Sequence, residues 1–381
     1  MHKRNLYLLC AITCLQGMVF YAAVATLYRQ AAGLSVFEIT AIEGVSVALS
    51  MALEIPWGWA ADRLGYRRVM ILCNALFLVT KVIFWQAESF GGFLVERLLL
   101  AVVISGLSGV DASMLYLSAP PEDAQRNAGW YFAAGEAGVL LSGLLYTAFL
   151  SGQYRQTALW TVVSYAAAAV LTLFLQEVRP EEARKQREPL LKLAGSHFRV
   201  PGMLALVVCA ALFSETVHCV TIYFNQLQYL RCGLSDRAIG TAFLIASLAG
   251  LCGPLSARLT RRLGQQPMGR CLLLSSALCM GLLTVTRSGW LSILLITLLT
   301  ALAALFAPLA GTLENALVAT NDRATALSLN AMVSDSLIVL LDMGLGRAAD
   351  ASLPLALGLC GAACLVSAGI FNTIRAASGQ H

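Results

Sequence analysis

The stretch Gly58-Trp59-Ala60-Ala61-Asp62-Arg63-Leu64-Gly65-Tyr66-Arg67-Arg68 places four charged side chains and two glycines within eleven residues. Strongly apolar runs, near residues 36–60 and 69–88, border it on both sides. Each run is long enough to cross a bilayer as a helix, which takes about 20 residues. A short charged stretch between two such runs indicates a loop at a membrane surface that joins two transmembrane helices.

The composition of the whole chain agrees with a membrane protein. Of its 381 residues, 58% are hydrophobic and only 12% are charged, whereas soluble domains carry about 25% charged residues. This shortage of polar side chains excludes a water-soluble globular protein, because only a bilayer tolerates so apolar an exterior. The sequence has no Gly-x-x-x-x-Gly-Lys-Ser/Thr phosphate loop, which argues against an ATP-driven pump on this chain.

Twelve apolar runs predict twelve transmembrane helices. We place them near residues 6–28, 36–60, 69–88, 91–117, 128–150, 156–176, 202–230, 237–257, 269–286, 289–316, 324–346 and 353–374. The predicted fold class is therefore an all-α membrane protein with twelve transmembrane helices.

The distribution of basic residues predicts the orientation in the membrane. With the N-terminus in the cytoplasm, eighteen of the 26 Lys and Arg residues fall on the cytoplasmic side and six on the outer side, as the positive-inside rule requires. A single miscounted span would destroy this bias, because every later loop would change sides. We therefore expect a multi-pass protein with both termini cytoplasmic. The first apolar run, which ends near Tyr28, is too long for a cleavable signal peptide.

A hydrophilic stretch in the middle of the chain divides six spans from six. We predict an N-terminal six-helix bundle over residues 1–176, a cytoplasmic linker over 177–201 and a C-terminal six-helix bundle over 202–381. The two halves also share a sequence pattern: Gly58-x-x-x-x-Arg63-Leu64 recurs 195 residues later as Gly253-x-x-x-x-Arg258-Leu259. Two related halves of this kind are one of the repeat architectures of secondary transporters.

The charged stretch resembles the signature loop of the major facilitator superfamily: Gly, three residues, Asp, Arg or Lys, any residue, Gly, any residue and two basic residues. The resemblance implies two pseudo-symmetric six-helix bundles and an alternating-access transporter, which is not an enzyme and needs no cofactor. It implies that Asp62 faces the start of the eleventh span near Arg323, where a helix N-terminus attracts negative charge. The alternative is that the arginines only anchor topology. The gating residues it implies are Gly58, Asp62, Arg63, Gly65, Arg67 and Arg68.

Two further segments resemble a bacterial drug-exporter-like subgroup of the same superfamily. They are Glu54-Ile55-Pro56-Trp57-Gly58 and Ser108-Gly109-Val110-Asp111-Ala112. This resemblance implies export of a small amphiphilic compound across the bacterial inner membrane in exchange for protons. Span five, at Gly135 to Gly143, has small residues for close helix packing but lacks the Gly-Pro pair of typical antiporters. Import or facilitated uptake of a metabolite therefore stays open.

Charged residues inside the spans are the candidates for proton coupling. A charge in the hydrocarbon costs about 2.5–3.5 kcal/mol on insertion scales, so it usually has a partner and a purpose. The coupling candidates are Arg97, Glu136, Glu215, His218, Asp335 and Asp342. Glu215 and His218 lie three apart, on one helical face, whereas Arg97 has the alternative of reaching the outer interface. Near cytoplasmic ends, where gating or capping is expected, lie Glu54, Asp111, Glu314 and Arg323. For Glu43 in span two a functional and a structural role stay open, and Lys81 in span three receives no role.

In the superfamily, spans one, four, seven and ten line the central cavity. The substrate-cavity candidates here are Gln16, Tyr21, Arg97, Glu215 and His218. So few polar groups favour a partly hydrophobic solute. We expect the polar outer half of span seven, with Tyr223, Asn225, Gln226 and Gln228, to line the outer vestibule.

The expected partners are a small-molecule substrate, protons and the lipid bilayer, with no nucleic acid, no metal and a monomeric state. The eleven cysteines lie mostly in apolar runs and show no metal-site or disulfide spacing. A membrane enzyme or sensor would need clustered nucleophiles or metal ligands, and the chain has only four histidines.

Overall fold

The computed structural model describes residues 3–107, 110–118, 124–178, 197–318 and 323–374. The described residues are mainly helical and include no β-strand. Among them, eleven helices are long and apolar enough to cross a membrane. The sixth predicted span is also a helix, Tyr154–Thr172, whose Arg155, Gln156 and hydroxyl side chains lower its mean hydropathy. Each of the twelve predicted spans thus corresponds to helical structure, which confirms the predicted fold class.

The helices of the N-terminal half of the sequence alternate with short turns. They are α1 (Lys3–Gly17), a 3-10 turn (Ala22–Val24), α2 (Ala25–Ala31), α3 (Val36–Leu64), α4 (Tyr66–Gln86), α5 (Phe90–Leu107), α6 (Val110–Leu117), α7 (Ala124–Leu145), a π-helical turn (Tyr146–Leu150) and α8 (Tyr154–Thr172). Spans one and five are therefore not single regular helices, since α1 stops in mid-span and α7 ends in a π-turn.

The C-terminal half has a similar order of elements. They are α9 (Met203–His218), a π-helical segment (Cys219–Phe224), α10 (Asn225–Arg231), α11 (Asp236–Gly250), a 3-10 turn (Gly253–Leu255), α12 (Ser256–Leu263), α13 (Gln265–Val285), α14 (Gly289–Leu317), α15 (Arg323–Ala351) and α16 (Leu353–Thr373). Span seven is interrupted at about the same place as span one, which indicates a repeat at the level of structure.

Two glycines in backbone turns show which residues of the two halves correspond to each other. Gly65, between α3 and α4, has φ 87°, and Gly264, between α12 and α13, has φ 86°, a region that only glycine adopts without strain. Both glycines follow the same dipeptide, Arg63-Leu64 in one half and Arg262-Leu263 in the other. The spacing of 195 read from the sequence is therefore wrong here by four residues, about one helical turn.

The described residues form two compact units. The first draws them from Met1–Leu34, Val45–Arg184 and Asp236–Leu244, and the second from Ser35–Gly44, Lys185–Ser235 and Ile245–His381. Each unit is thus built mainly from one half of the sequence, and each includes a short helical segment of the other half. The expected bundle boundaries at residues 176 and 202 stay a prediction.

In the first unit, glycines allow α1 and α7 to touch. A Cβ added at Gly138 would lie 2.0 Å from the carbonyl oxygen of Cys14, and one at Gly17 would lie 2.3 Å from that of Gly135. Only glycine permits backbones to approach so closely. The small residues of span five therefore have the packing role that the sequence predicted.

In the second unit, α9 packs against α14, α15 and α16. The ring centroids of Phe213 and Phe306 lie 4.5 Å apart in an edge-to-face arrangement, and Phe371 follows at 6.3 Å from Phe306. Gly269 on α13 makes room for the ring of Phe371, because a Cβ there would lie 2.3 Å from it. This apolar core holds α9 in the middle of the unit.

Candidate substrate and coupling site

The helix of span one is broken between Gly17 and Ala25. Side chains of α8 form hydrogen bonds with the backbone around this break. Ser164 Oγ donates a hydrogen bond to the carbonyl of Leu15 at 2.5 Å, and Tyr165 OH donates to that of Gln16 at 2.8 Å. Beyond the break, the Phe20 amide donates to Thr161 Oγ1 at 3.0 Å. A broken helix needs such partners in a membrane, which explains why α8 carries hydroxyl side chains. Discontinuous helices of this kind build the substrate sites of many transporters.

Both cavity candidates of span one lie at this break. Gln16 is half-buried, and its Nε2 donates to Asn74 Oδ1 on α4 at 2.7 Å. Tyr21 is buried, and its ring stacks on Phe84 with centroids 4.1 Å apart. Their lining of a substrate cavity stays a prediction.

A buried ion pair lies beside Tyr21, and the sequence analysis missed it. Lys81 Nζ on α4 is 3.9 Å from Glu96 Oε1 on α5 and donates a hydrogen bond to Tyr21 OH at 3.2 Å. Arg97, the residue that the sequence favoured, is half-buried and follows Glu96 directly in the chain. The sequence did offer a way to predict this pair, namely the depth of both residues in their spans. Lys81 lies five residues before the end of α4, and Glu96 lies six residues after the start of α5.

In span seven, a π-helical segment follows α9, and such bulges are frequent at functional sites. Polar side chains beyond it bond to its carbonyls: Asn225 Nδ2 donates to Thr221 O at 2.6 Å, and Gln226 Nε2 donates to Ile222 O at 3.1 Å. Gln228 Nε2 donates to Thr286 O. Together with Tyr223 these side chains are buried. In this structure Asn225 and Gln226 thus serve as partners of the irregular backbone, and the expectation that these side chains line an outer vestibule stays a prediction.

Three side chains of the second unit converge at the start of this π-segment, and we call them the acidic cluster: Glu215, Cys219 and Asp342. The Cys219 thiol lies 3.3 Å from Glu215 Oε1 and 3.5 Å from Asp342 Oδ1. One ligand atom from each residue lies within 4.8 Å of the others, and all three are at most 5% exposed. Glu43 on α3, also buried, is close enough to act electrostatically on Asp342.

The acidic cluster brings together two of the predicted coupling residues and leaves others apart. His218 is exposed, with its ring edge-on to Tyr223 at 5.5 Å, so it does not share the buried environment of Glu215. Asp335 is half-buried and Glu136 is exposed. Cys219 was not singled out, since a thiol in an apolar run looks like a small hydrophobe, and Glu43 was left open between a functional and a structural role. Thiol and carboxylate are also metal-ligand types.

The signature loop is held against the segment that follows α8. Arg67 Nε donates to the carbonyl of Leu175 at 2.7 Å and its terminal nitrogen to that of Leu173 at 3.0 Å. A Cβ at Gly65 would lie 2.7 Å from Glu177 Oε2. Arg68 is exposed. The predicted gating role stays a prediction, because its other members, Gly58, Asp62 and Arg63, lie outside the described side chains. The same is true of the cytoplasmic-end candidates Glu54 and Arg323.

The remaining cytoplasmic-end candidates make local hydrogen bonds. Asp111 Oδ2 accepts from Tyr131 OH at 3.0 Å. Glu314 Oε2 accepts from Asn330 Nδ2 at 3.5 Å, and Asn330 Oδ1 lies 2.9 Å from Nε2 of the buried His197. The end of the predicted linker is thus packed into the second unit.

Comparisons with known proteins place this geometry in a family. No curated protein matches the sequence, but many solved structures match the fold. The nucleoside transporter NupG superposes with a TM-score of 0.81 at 15% identity over 98% of this chain and 99% of that one. A bacterial homologue of the human lysosomal transporter Spinster, inward-facing and occupied, gives 0.74 at 18% identity over 97% and 96%.

A POT family transporter in complex with 5-aminolevulinic acid gives a TM-score of 0.73 at 13% identity, over 96% of this chain and 95% of that one. These likenesses show a shared fold. The sequence profile described as "Major Facilitator Superfamily" matches residues 6–341, most of the chain. The protein therefore belongs to the Major Facilitator Superfamily.

Proposed function

We propose that this protein is a secondary transporter of the bacterial inner membrane that exports a small amphiphilic organic compound in exchange for protons. It works as a monomer with cytoplasmic termini, by alternating access. The observation that carries the proposal is the acidic cluster, in which Glu215 and Asp342 present carboxyl oxygens within 4.8 Å of each other. Subgroup resemblance supports the direction of transport.

The chemistry of the acidic cluster supports proton coupling. Two carboxyl groups this close in a low-dielectric site repel each other when both are charged, which suits a site that takes up and releases a proton. Glu43 adds a third carboxyl group nearby. When water reaches the cluster from one side of the membrane, solvation favours release of the proton. The interrupted helix of span seven, on which Glu215 and Cys219 lie, is a suitable element for such a change of access.

The few polar groups of the lining spans support an amphiphilic solute. Span ten is the helix Gly289–Leu317, and its residues before Glu314 carry no charge. A heavily hydroxylated sugar would need more hydrogen-bonding side chains than these spans supply. A compound with an apolar body and one or two polar groups fits better.

Inside-out vesicles with an acidified lumen and a quenched pH dye test the proposal. A panel of lipophilic drugs and polar metabolites is added to vesicles that contain the protein. We expect a lipophilic compound to dissipate the gradient, and Glu215→Gln or Asp342→Asn to abolish this effect. Asp335→Asn is the matched control, because it makes the same change one heptad away on α15, outside the acidic cluster.

A gradient response that survives both cluster substitutions would exclude the acidic cluster as the proton carrier. A response lost only in Asp335→Asn would assign the role to that aspartate instead. Monodisperse elution and an unchanged melting temperature are required of every variant before its transport is compared.

The second candidate function is proton-coupled import or facilitated uptake of a metabolite. The missing Gly-Pro pair of span five favours it, as does the fold similarity to the nucleoside transporter NupG. Here the same vesicles would show no response to lipophilic compounds. Right-side-out vesicles would instead accumulate a polar metabolite, such as a nucleoside, under an inward proton gradient.

A further inference from the structure

The Lys81–Glu96 ion pair of the first unit has features that a structural salt bridge does not need. Both side chains are deeply buried, with 5% of Lys81 and 1% of Glu96 exposed. Their closest nitrogen–oxygen distance is 3.9 Å, which is longer than a charge-assisted hydrogen bond of about 2.7–2.9 Å. The two charges are thus held close without a direct hydrogen bond.

The ammonium of Lys81 has other partners that stabilise its charge. It donates to Tyr21 OH at 3.2 Å, and it lies 5.1 Å from the ring centroid of Tyr165 and 5.3 Å from that of Phe77. Aromatic faces within about 6 Å attract a cation, and more strongly when water is excluded. Lys81 therefore keeps favourable surroundings even when Glu96 is neutral.

The carboxyl group of Glu96 lacks such support. Among the described residues, its Oε2 atom is buried with no hydrogen-bond partner, and its Oε1 atom has only the distant Lys81. A buried ionised carboxylate needs hydrogen bonds at both oxygens to offset its lost hydration. The carboxylate of Glu96 therefore depends on the attraction of Lys81 alone, with one oxygen left without a hydrogen bond.

The other polar groups around Glu96 connect it to the break in span one. They are Lys81 from α4, Tyr21 from the broken segment and Tyr165 from α8. Tyr165 also holds the carbonyl of Gln16. Arg29 of α2 lies farther toward the outer end, against the rings of Phe84 and Phe93. A change of charge at Glu96 alters its electrostatic attraction for Lys81. It thereby affects the hydrogen bond from Lys81 to Tyr21, which lies in the broken segment.

We propose that Glu96 is a second proton-carrying residue of this transporter, and that Lys81 transmits its protonation state to the broken segment of span one through Tyr21. This inference rests on the proposed proton-coupled transport and extends it from the second unit to the first. Protonation converts the Glu96 carboxylate to a neutral acid, and the proton returns to water when the site opens.

Infrared difference spectroscopy of the purified protein, between alkaline and acidic buffer, tests proton uptake with protons as the only probe. We expect Glu96→Gln to remove one carboxylic-acid band from the acid-induced spectrum. Glu88→Gln is the matched control, since Glu88 pairs with Arg155 in the same unit but on its surface, and it should leave that band intact. An unchanged spectrum in Glu96→Gln would overturn the proposal.

The double variant Lys81→Met/Glu96→Gln separates coupling from a merely structural ion pair. Glu96→Gln alone leaves the ammonium of Lys81 with only its hydroxyl and aromatic partners, and the double variant removes any cost of that loss. If the pair is structural, the double variant restores both the melting temperature and proton-driven transport. We expect it to restore the melting temperature only, with exchange of the transported compound retained and gradient-driven accumulation lost.

These outcomes are distinguishable from failure of the proposed function. Wild-type vesicles that never move protons with any compound would refute coupled transport itself, whatever the spectra show. Coupled transport in the wild type that persists in Glu96→Gln would refute only the role of Glu96.

Discussion

A carboxylate of α15 is predicted to stabilise the first turn of α3. Asp350 Oδ1 accepts from the amide of Val36 at 2.8 Å and Oδ2 from that of Phe37 at 3.0 Å. The contact joins residues far apart in the sequence, and both the start of α3, up to Gly44, and α15 belong to the second unit. A helix N-terminus has unsatisfied amides and a partial positive charge, so one carboxylate supplies two hydrogen bonds and a favourable charge.

The substitution Asp350→Asn keeps one acceptor oxygen but removes the charge and one hydrogen bond. Negative charge at a helix N-terminus is worth about 0.3–1 kcal/mol when exposed, and one net hydrogen bond about 0.5–1.5 kcal/mol. Asp350 is exposed, so we expect a loss of about 1–2 kcal/mol. Such a loss increases local opening about 5–30-fold.

Hydrogen exchange of the Val36 and Phe37 amides measures that opening directly, by mass spectrometry on peptides that cover the start of α3. We expect their exchange to accelerate by the same factor in Asp350→Asn. Ser35→Ala is the comparison rather than a neutral control: Ser35 precedes α3, and its Oγ accepts from the Glu38 amide, so its loss should open the same first turn without affecting the contact with α15. Unchanged exchange at Val36 and Phe37 in Asp350→Asn would show that the carboxylate does not hold this helix end.

Two further substitutions test the packing of the first unit, each against a neighbour that should tolerate the same change. Gly138→Ala should lower the melting temperature, since its methyl group meets the Cys14 carbonyl and overpacking costs about 1–3 kcal/mol; Gly129→Ala on the same helix, where no atom lies within 4 Å, should not. Arg67→Ala should destabilise the protein by about 1–3 kcal/mol by leaving two carbonyls after α8 unpaired, whereas the exposed Arg68→Ala should change the melting temperature little. Equal effects within either pair would contradict the assigned contacts.

Hydropathy and charge predicted the helices well because the membrane constrains both. The weakest match is α8, whose hydroxyl side chains lower its mean hydropathy. Those hydroxyls satisfy the backbone of the broken span one, through Ser164 and Tyr165. A linear pattern cannot show that one helix supplies the hydrogen bonds missing in another, so the break itself was invisible from the sequence. The same holds for the π-segment after α9, where the sequence did not show that Asn225 and Gln226 would serve as backbone partners.

The two buried charge clusters differ in how well they could have been predicted from the sequence. Lys81 and Glu96 lie on helices joined by a short turn, with Lys81 five residues before the end of α4 and Glu96 six after the start of α5. Residues equally distant from such a turn lie at equal depth in the membrane, because both helices rise about 1.5 Å per residue. Opposite charges at equal depth on adjacent helices predict an ion pair, and pairing the nearest charges by depth would have found it.

No such argument connects Glu215 with Asp342. Spans seven and eleven are not neighbours in the chain, and their contact depends on how α9 and α15 pack in the second unit. Depth alone would have favoured Asp335, which lies 12 residues after the start of α15 just as Glu215 lies 12 residues after the start of α9. Only the structure selects Asp342, which is buried against Cys219. The choice matters for function, because proton sharing requires two carboxyl groups within a few ångströms. A substitution at either aspartate therefore tests the tertiary packing and the coupling chemistry together.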